Sequence, residues 1–156
     1  MVQAIPAGYA GVTPYLIVRD AARMLDFYKK GFGASEVLRL PAPGGKIGHA
    51  EIKIGEGMVM LADESPEMGH KSPQTVGGTP VTLMFYVRDV DAQFAKALAA
   101  GGTVKHPVKD QFYGDRSGTL EDPSGHIWTI ATHTEDVAPD EMDRRMKAMM
   151  AGGQKP

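Results

Sequence analysis

His49 and Glu51 are the two residues of this chain best suited to do chemistry together. Two positions apart on an extended segment, their side chains point to the same face. A carboxylate beside an imidazole raises the imidazole's pKa, so the pair could serve as a general acid–base couple or as two ligands of a displaced metal site. The alternative is a solvated pair on an exposed strand. Arg116, after Tyr113-Gly114-Asp115, could clamp a carboxylate or phosphate through two N–H groups. It could equally close a structural ion pair with Asp110 or Asp115. His126 reads as a capping or surface histidine, His133 as a residue of a cleft mouth, and His70 and His106 as solvent-exposed. Gly44-Gly45 carries no phosphate-loop spacing. The absence of cysteine rules out disulfides, thiolate metal sites and a cysteine nucleophile.

The elements that must position these residues occur twice. Val12–Val18 (VTPYLIV) precedes Arg19-Asp20 and a helical stretch ending at Gly33. Val81–Val87 (VTLMFYV) precedes Arg88-Asp89 and a helical stretch ending at Gly102. The two copies are offset by 69 residues. A long period seen only twice means two copies of one supersecondary unit, able to face each other across a cleft. Period-two alternation makes the first segment of each copy a strand, with Pro14 demanding an edge or an unpaired position. Asp20 and Asp89 are N-caps, and Gly33 and Gly102 are expected as left-handed C-caps. Further strands are expected over 35–40, 46–54 and 58–63, and over 103–108, 118–121 and 126–133. The polar stretch 64–80 reads as the linker between modules. A last helix from Pro139 carries Met142, Met146, Met149 and Met150, a face for docking on the same domain or a second copy. The segment from Gly152 to Pro156 is expected to fray.

The architecture that follows is α+β: two tandem βαβββ modules forming a cleft-shaped mixed sheet, with helices on the outer face. One domain spans 10–134, as modules 10–63 and 81–134 joined by 64–80, with a helix and tail over 135–156. Alternation puts Val12, Leu16, Val18, Leu83, Phe85 and Val87 under the helices and leaves Tyr15, Thr82, Met84 and Tyr86 for the cleft, as candidate ligand contacts. Tyr15 and Tyr86 read as counterparts facing each other across the pseudo-twofold axis. Trp128 should pack under the second helix. The formal net charge of -2, with mixed signs, carries no nucleic-acid footprint. No apolar run reaches the length of a membrane span, and no secretory signal is visible, so a cytoplasmic location is expected.

The VRD-helix-Gly repeat, FYKKGFGA (Phe27–Ala34) and LEDPSGHIW (Leu120–Trp128) together resemble the vicinal oxygen chelate superfamily, which includes glyoxalase I, bleomycin-resistance proteins and extradiol dioxygenases. The longer string from Asp110 to Trp128 is similar to its PhnB-like branch. The resemblance covers roughly residues 10 to 134. It implies the paired-module fold, a small-molecule cleft and a homodimer in which modules complete each other's clefts. It also implies metal positions at Thr13, Leu61, Thr82 and Thr129. None of these is a His, Glu or Asp, so no metal cofactor is expected there. Three functions remain open. One is a metal-independent small-molecule binder. Another is a lyase, isomerase or dioxygenase type of enzyme with a non-standard site using His49, Glu51 and a tyrosine. The third is a dimeric module whose cleft serves a peptide.

Overall fold

The structure, a computed structural model, describes residues 2–153. The fraying expected at the C-terminus falls mostly outside that range. The first module runs β1 (Tyr15–Val18), α1 (Ala21–Phe32), β2 (Ser35–Pro41), β3 (Ile47–Ile54) and β4 (Gly57–Asp63). The connecting stretch holds a 3-10 turn (Pro66–Met68) and one short α-helix, α2 (Pro73–Val76). The second module runs β5 (Thr82–Tyr86), α3 (Val90–Ala99), β6 (Thr103–Asp110), β7 (Asp115–Glu121) and β8 (Ile127–His133), and α4 (Pro139–Ala151) follows. Each module folds into a four-stranded mixed sheet, ordered β1-β4-β3-β2 and β5-β8-β7-β6. The first strand of each module lies parallel to the last, and the other pairings are antiparallel.

Local chemistry explains the boundaries. β1 is an edge strand and starts only at Tyr15, after Pro14, which has no N–H for the ladder. Val12 therefore lies outside the strand and is fully exposed rather than tucked under the helix. Asp20 caps α1 by accepting from Arg23 N, and Asp89 caps α3 by accepting from Ala92 N. Gly33 closes α1 at φ 69°, as a left-handed cap requires. In the second copy the positive φ falls one residue early, at Gly101 (121°). Gly102 instead lies against the preceding helix, where a Cβ would sit 3.1 Å from Ala97 O.

The core lies between each sheet and its helix, and the two helices join the modules. Leu16, Val18, Ile52, Leu61, Leu120 and Ile130 are buried on the helix-facing sides. α1 crosses α3 at Gly31, where a Cβ would come within 3.1 Å of Ala97 Cα. Beside the crossing, Tyr28 and Phe32 of α1 pack on Trp128, with Phe32–Trp128 centroids 4.9 Å apart. Trp128 is thus core, but its aromatic partners come from the first helix and from Phe85 rather than from the second helix. Under this cluster lies the buried carboxylate of Asp122. Its Oδ2 accepts from Tyr28 Oη at 2.7 Å and Trp128 Nε1 at 3.0 Å, and its Oδ1 from Ser124 N and His126 N. Burial and the Asp122 charge push the Tyr28 hydroxyl well above its ordinary pKa. His126 Nε2 bonds Ile17 O at 2.9 Å and Ser124 Oγ accepts from Arg19 N, so one turn of the second module ties down β1.

The opposite face of each sheet carries no helix. Tyr15, Leu38 and Leu40 are exposed on the first, and Met84 and Tyr86 on the second. No residue of α4 is fully buried: Met142 and Met149 are half-buried, while Met146 and Met150 are exposed. Arg145 tethers the helix through Glu135 and Phe112 O. At the end of β8, His133 Nδ1 lies 2.7 Å from Asp115 Oδ1 and Nε2 lies 2.9 Å from Asp136 Oδ1.

Three outcomes are expected. Gly31→Val drives a side chain into the α3 backbone and should cost about 1–3 kcal/mol in urea unfolding. Asp122→Asn turns an all-acceptor group into one that must aim an amide at donors, and should cost about 3 kcal/mol. The bonds to Asp115 and Asp136 raise the pKa of His133. Stabilisation from a raised histidine is complete below its unfolded value of about 6.5 and is lost as pH climbs through the folded value. The stability gap between the parent and His133→Gln should therefore shrink on going from slightly acid to alkaline pH, read by denaturant titration. A gap that widens would contradict the assignment.

Candidate functional site on the open face of the first sheet

Strand alternation puts His49 and Glu51 on the open face of β3, and Tyr15 reaches them from the other side of β4. Tyr15 Oη lies 2.8 Å from His49 Nδ1, and His49 Nε2 lies 3.0 Å from Glu51 Oε1. The second Glu51 oxygen accepts a short hydrogen bond from Tyr9 Oη. The Tyr9 hydroxyl and His49 hold the Glu51 carboxyl below its usual range. The same contact lifts Tyr9 to about 12, and burial beside the Glu51 charge raises Tyr15. With Glu51 ionised, the His49 nitrogen facing it carries the proton. The other nitrogen of a neutral ring is then bare, so Tyr15 must be the donor to it. Sequence reasoning missed Tyr9. It sits in a turn closed by Tyr9 N to Pro6 O, ahead of any periodic segment, and no spacing linked it to β3.

Tyr15, at one end of this chain of bonds, lines a cavity of about 860 Å³ between the β2–β3 turn and the stretch that follows β4. Its walls include Tyr15, Ile17, Ile47, Ala62 and Met68, with Lys46, Asp63, Glu64, Glu67 and His70 among the polar groups. The first part of the linker thus forms one side of the opening. Glu64 fixes it there. The carboxylate accepts from Arg19 Nε at 2.9 Å, Thr75 Oγ1 at 2.6 Å and Ser72 N at 3.0 Å, which holds its pKa near 2.

The other sequence candidates lie on the second module. Thr82, Met84 and Tyr86 share the open face of β5. Tyr86 Oη donates to Asp115 Oδ2 at 2.7 Å, continuing to His133. Tyr15 and Tyr86 are not counterparts. Aligning Val18 with Val87 pairs Tyr15 with Met84 and Ile17 with Tyr86, and the strand registers agree: Tyr15 lies beside Met60, and Met84 beside Thr129. Nor do the tyrosines face each other, because the modules meet through their helices. Arg116 points to the helix side of its sheet. Its Nε and Nη2 engage Asp91 at 2.7 and 2.8 Å, and Nη1 engages Asp110 at 3.1 Å. The guanidinium clamps α3 to the β6–β7 hairpin and is spoken for, which removes it as an anion clamp in the cleft. Of its two expected structural partners it takes Asp110, and Asp91 replaces Asp115.

The metal positions implied by resemblance need one correction. Leu61 is fully buried against α1, and the residue of β4 on the open face beside Tyr15 is Met60. Met60 is also the repeat's own counterpart of Thr129. The donor set becomes Thr13, Met60, Thr82 and Thr129, and Thr129 Oγ1 already shares a hydrogen bond with Thr119 at 2.8 Å. Neutral hydroxyls and one thioether do not fit a hard or borderline divalent ion. Among the described residues, no three His, Cys, Asp or Glu side chains cluster to hold a metal.

Comparison with known proteins gives the geometry a lineage. An uncharacterized protein of Mycobacterium tuberculosis (strain ATCC 25618 / H37Rv) is 45% identical over 144 residues, covering 90% of this chain and 85% of that protein. TioX from Micromonospora sp. ML1 is similar in structure, with 29% identity and a TM-score of 0.63 over 80% of this chain and 98% of TioX. The fosfomycin resistance protein FosX from Mesorhizobium loti shares the fold at 21% identity, with a TM-score of 0.58 over 80% of this chain and 93% of FosX. A family model described as the Glyoxalase/Bleomycin resistance protein/Dioxygenase superfamily matches residues 9–130. With two tandem βαβββ modules and that match over most of its length, the chain belongs to this superfamily.

Proposed function

We propose that this protein binds a small organic molecule in the first-module cavity, without the divalent metal many superfamily members use. The observation that carries the reading is the cavity of about 860 Å³ lined by Tyr15, which is hydrogen-bonded through His49 to Glu51 and Tyr9 behind it. Mostly apolar walls with a few fixed polar groups are what a specific small-molecule site requires. The donor chemistry of Thr13, Met60, Thr82 and Thr129 supports a metal-free site. The string Asp110–Trp128 supports placement in the PhnB-like branch.

The reading includes a homodimer. Each open sheet face exposes large apolar groups, among them Tyr15 and Leu40 on the first and Met84 and Tyr86 on the second. A second copy laid against this face would bring Thr82, Met84 and Tyr86 of one chain toward Tyr15, His49 and Glu51 of the other, giving all six a place in one cleft.

A second reading has its own support. A tyrosine, a histidine and a carboxylate in series form a proton relay, so an enzyme moving protons at a bound substrate fits the same residues. Activity surviving in both Tyr15→Phe and His49→Gln would remove it.

Three measurements test the main reading. In a thermal-shift ligand screen, hits at about ten times their dissociation constant should stabilise the parent by ~1.4 kcal/mol. Tyr15→Ala and Glu51→Ala should lose that shift, and if both keep all of it the cavity is not the site. Elemental analysis of protein purified without added metal should find far less than one equivalent of zinc, nickel, manganese or iron. Stoichiometric metal would overturn the metal-free reading. Light scattering at micromolar protein should give the mass of two chains, and a concentration-independent monomer would refute the dimer.

A further inference from the structure

The polarity of the cavity, taken with the direction of one hydroxyl, specifies the class of ligand. This step rests on the cavity being the binding site. With the His49 proton on the nitrogen facing Glu51, Tyr15 Oη donates to Nδ1 and keeps its oxygen lone pairs for other donors, and Tyr15 lines the cavity. Tyr15 is 50% exposed, and its ring offers a π face. The charges nearby are unequal. Glu64 is balanced by Arg19 at 2.9 Å. Asp63 accepts from two backbone amides, Ala21 N and Ile47 N, and meets no side-chain cation through either bond. Glu67 accepts from Ser65, and Glu51 lies just behind His49. Against the two lining carboxylates of Asp63 and Glu67 the lining supplies one ammonium, Lys46, whose Nζ bonds the carbonyl of Glu64 at 3.2 Å.

We propose that the cavity takes a lipophilic organic ammonium, with its N–H donors on the Tyr15 oxygen and its apolar part among Ile17, Ile47 and Met68. An acceptor oxygen, an aromatic face and a net negative lining all favour a cation with donors. A carboxylate ligand would meet lone pairs and like charge instead.

Calorimetric titration with three naphthalene probes of one shape tests this: 1-naphthylmethylammonium, 1-naphthylmethanol and 1-naphthoate. At about pH 7.5 and low salt the ammonium should bind at least about tenfold more tightly than the alcohol, and the carboxylate more weakly still. If no probe binds, the cavity itself is not the site. If the alcohol or the carboxylate binds as tightly as the ammonium, the cavity stands and the ligand class is wrong.

Discussion

The fold turns on one buried carboxylate. Asp122 accepts four hydrogen bonds, from the Tyr28 hydroxyl, the Trp128 indole and the amides of Ser124 and His126. Two of those donors close the β7–β8 turn, one fixes the largest aromatic side chain of the second module, and one belongs to the first module's helix. A buried charge is tolerated only when its acceptor sites are filled, so each donor is held in place by the cost of leaving the carboxylate short. The segment Asp122-Pro123-Ser124-Gly125-His126 is therefore more than a turn. Through Ser124 and His126 it grips Arg19 N and Ile17 O at the end of β1, next to the wall of the cavity.

Joining the modules through their helices has a consequence for the site. Because α1 meets α3 at Gly31, the helices occupy the middle of the molecule and both open sheet faces turn outward. A chain with this geometry cannot close one cleft between its own two sheets. The first sheet instead makes its cavity with the turn before β3 and the clasped segment after β4. That makes the Glu64 network, which is remote from His49, a determinant of the cavity's shape.

Much of this was legible in the sequence, for definite reasons. The repeat announced two modules because Val-Arg-Asp ends a strand and caps a helix each time. His49 and Glu51 share a face because a strand has period two. What was not legible came from contacts with no period. Tyr9 joins Glu51 from a turn 42 residues away. Arg116 found Asp91, 25 residues distant, because β7 runs under α3. The misplacement of Leu61 and the false pairing of Tyr15 with Tyr86 were errors of register, and each disappears once the offset of 69 is applied residue by residue.

Each module builds a polar chain on its open face from a tyrosine, a carboxylate and a histidine, but in a different order. In the first the histidine stands between the tyrosine and the carboxylate. In the second Asp115 stands between Tyr86 and His133, and Asp136 holds the far nitrogen. Both histidine nitrogens there face acceptors, which favours the doubly protonated ring. Exchanging the middle member changes which groups the histidine faces with no change of residue types. Divergence between duplicated modules therefore need not add or remove functional side chains, since reordering them along one sheet face suffices.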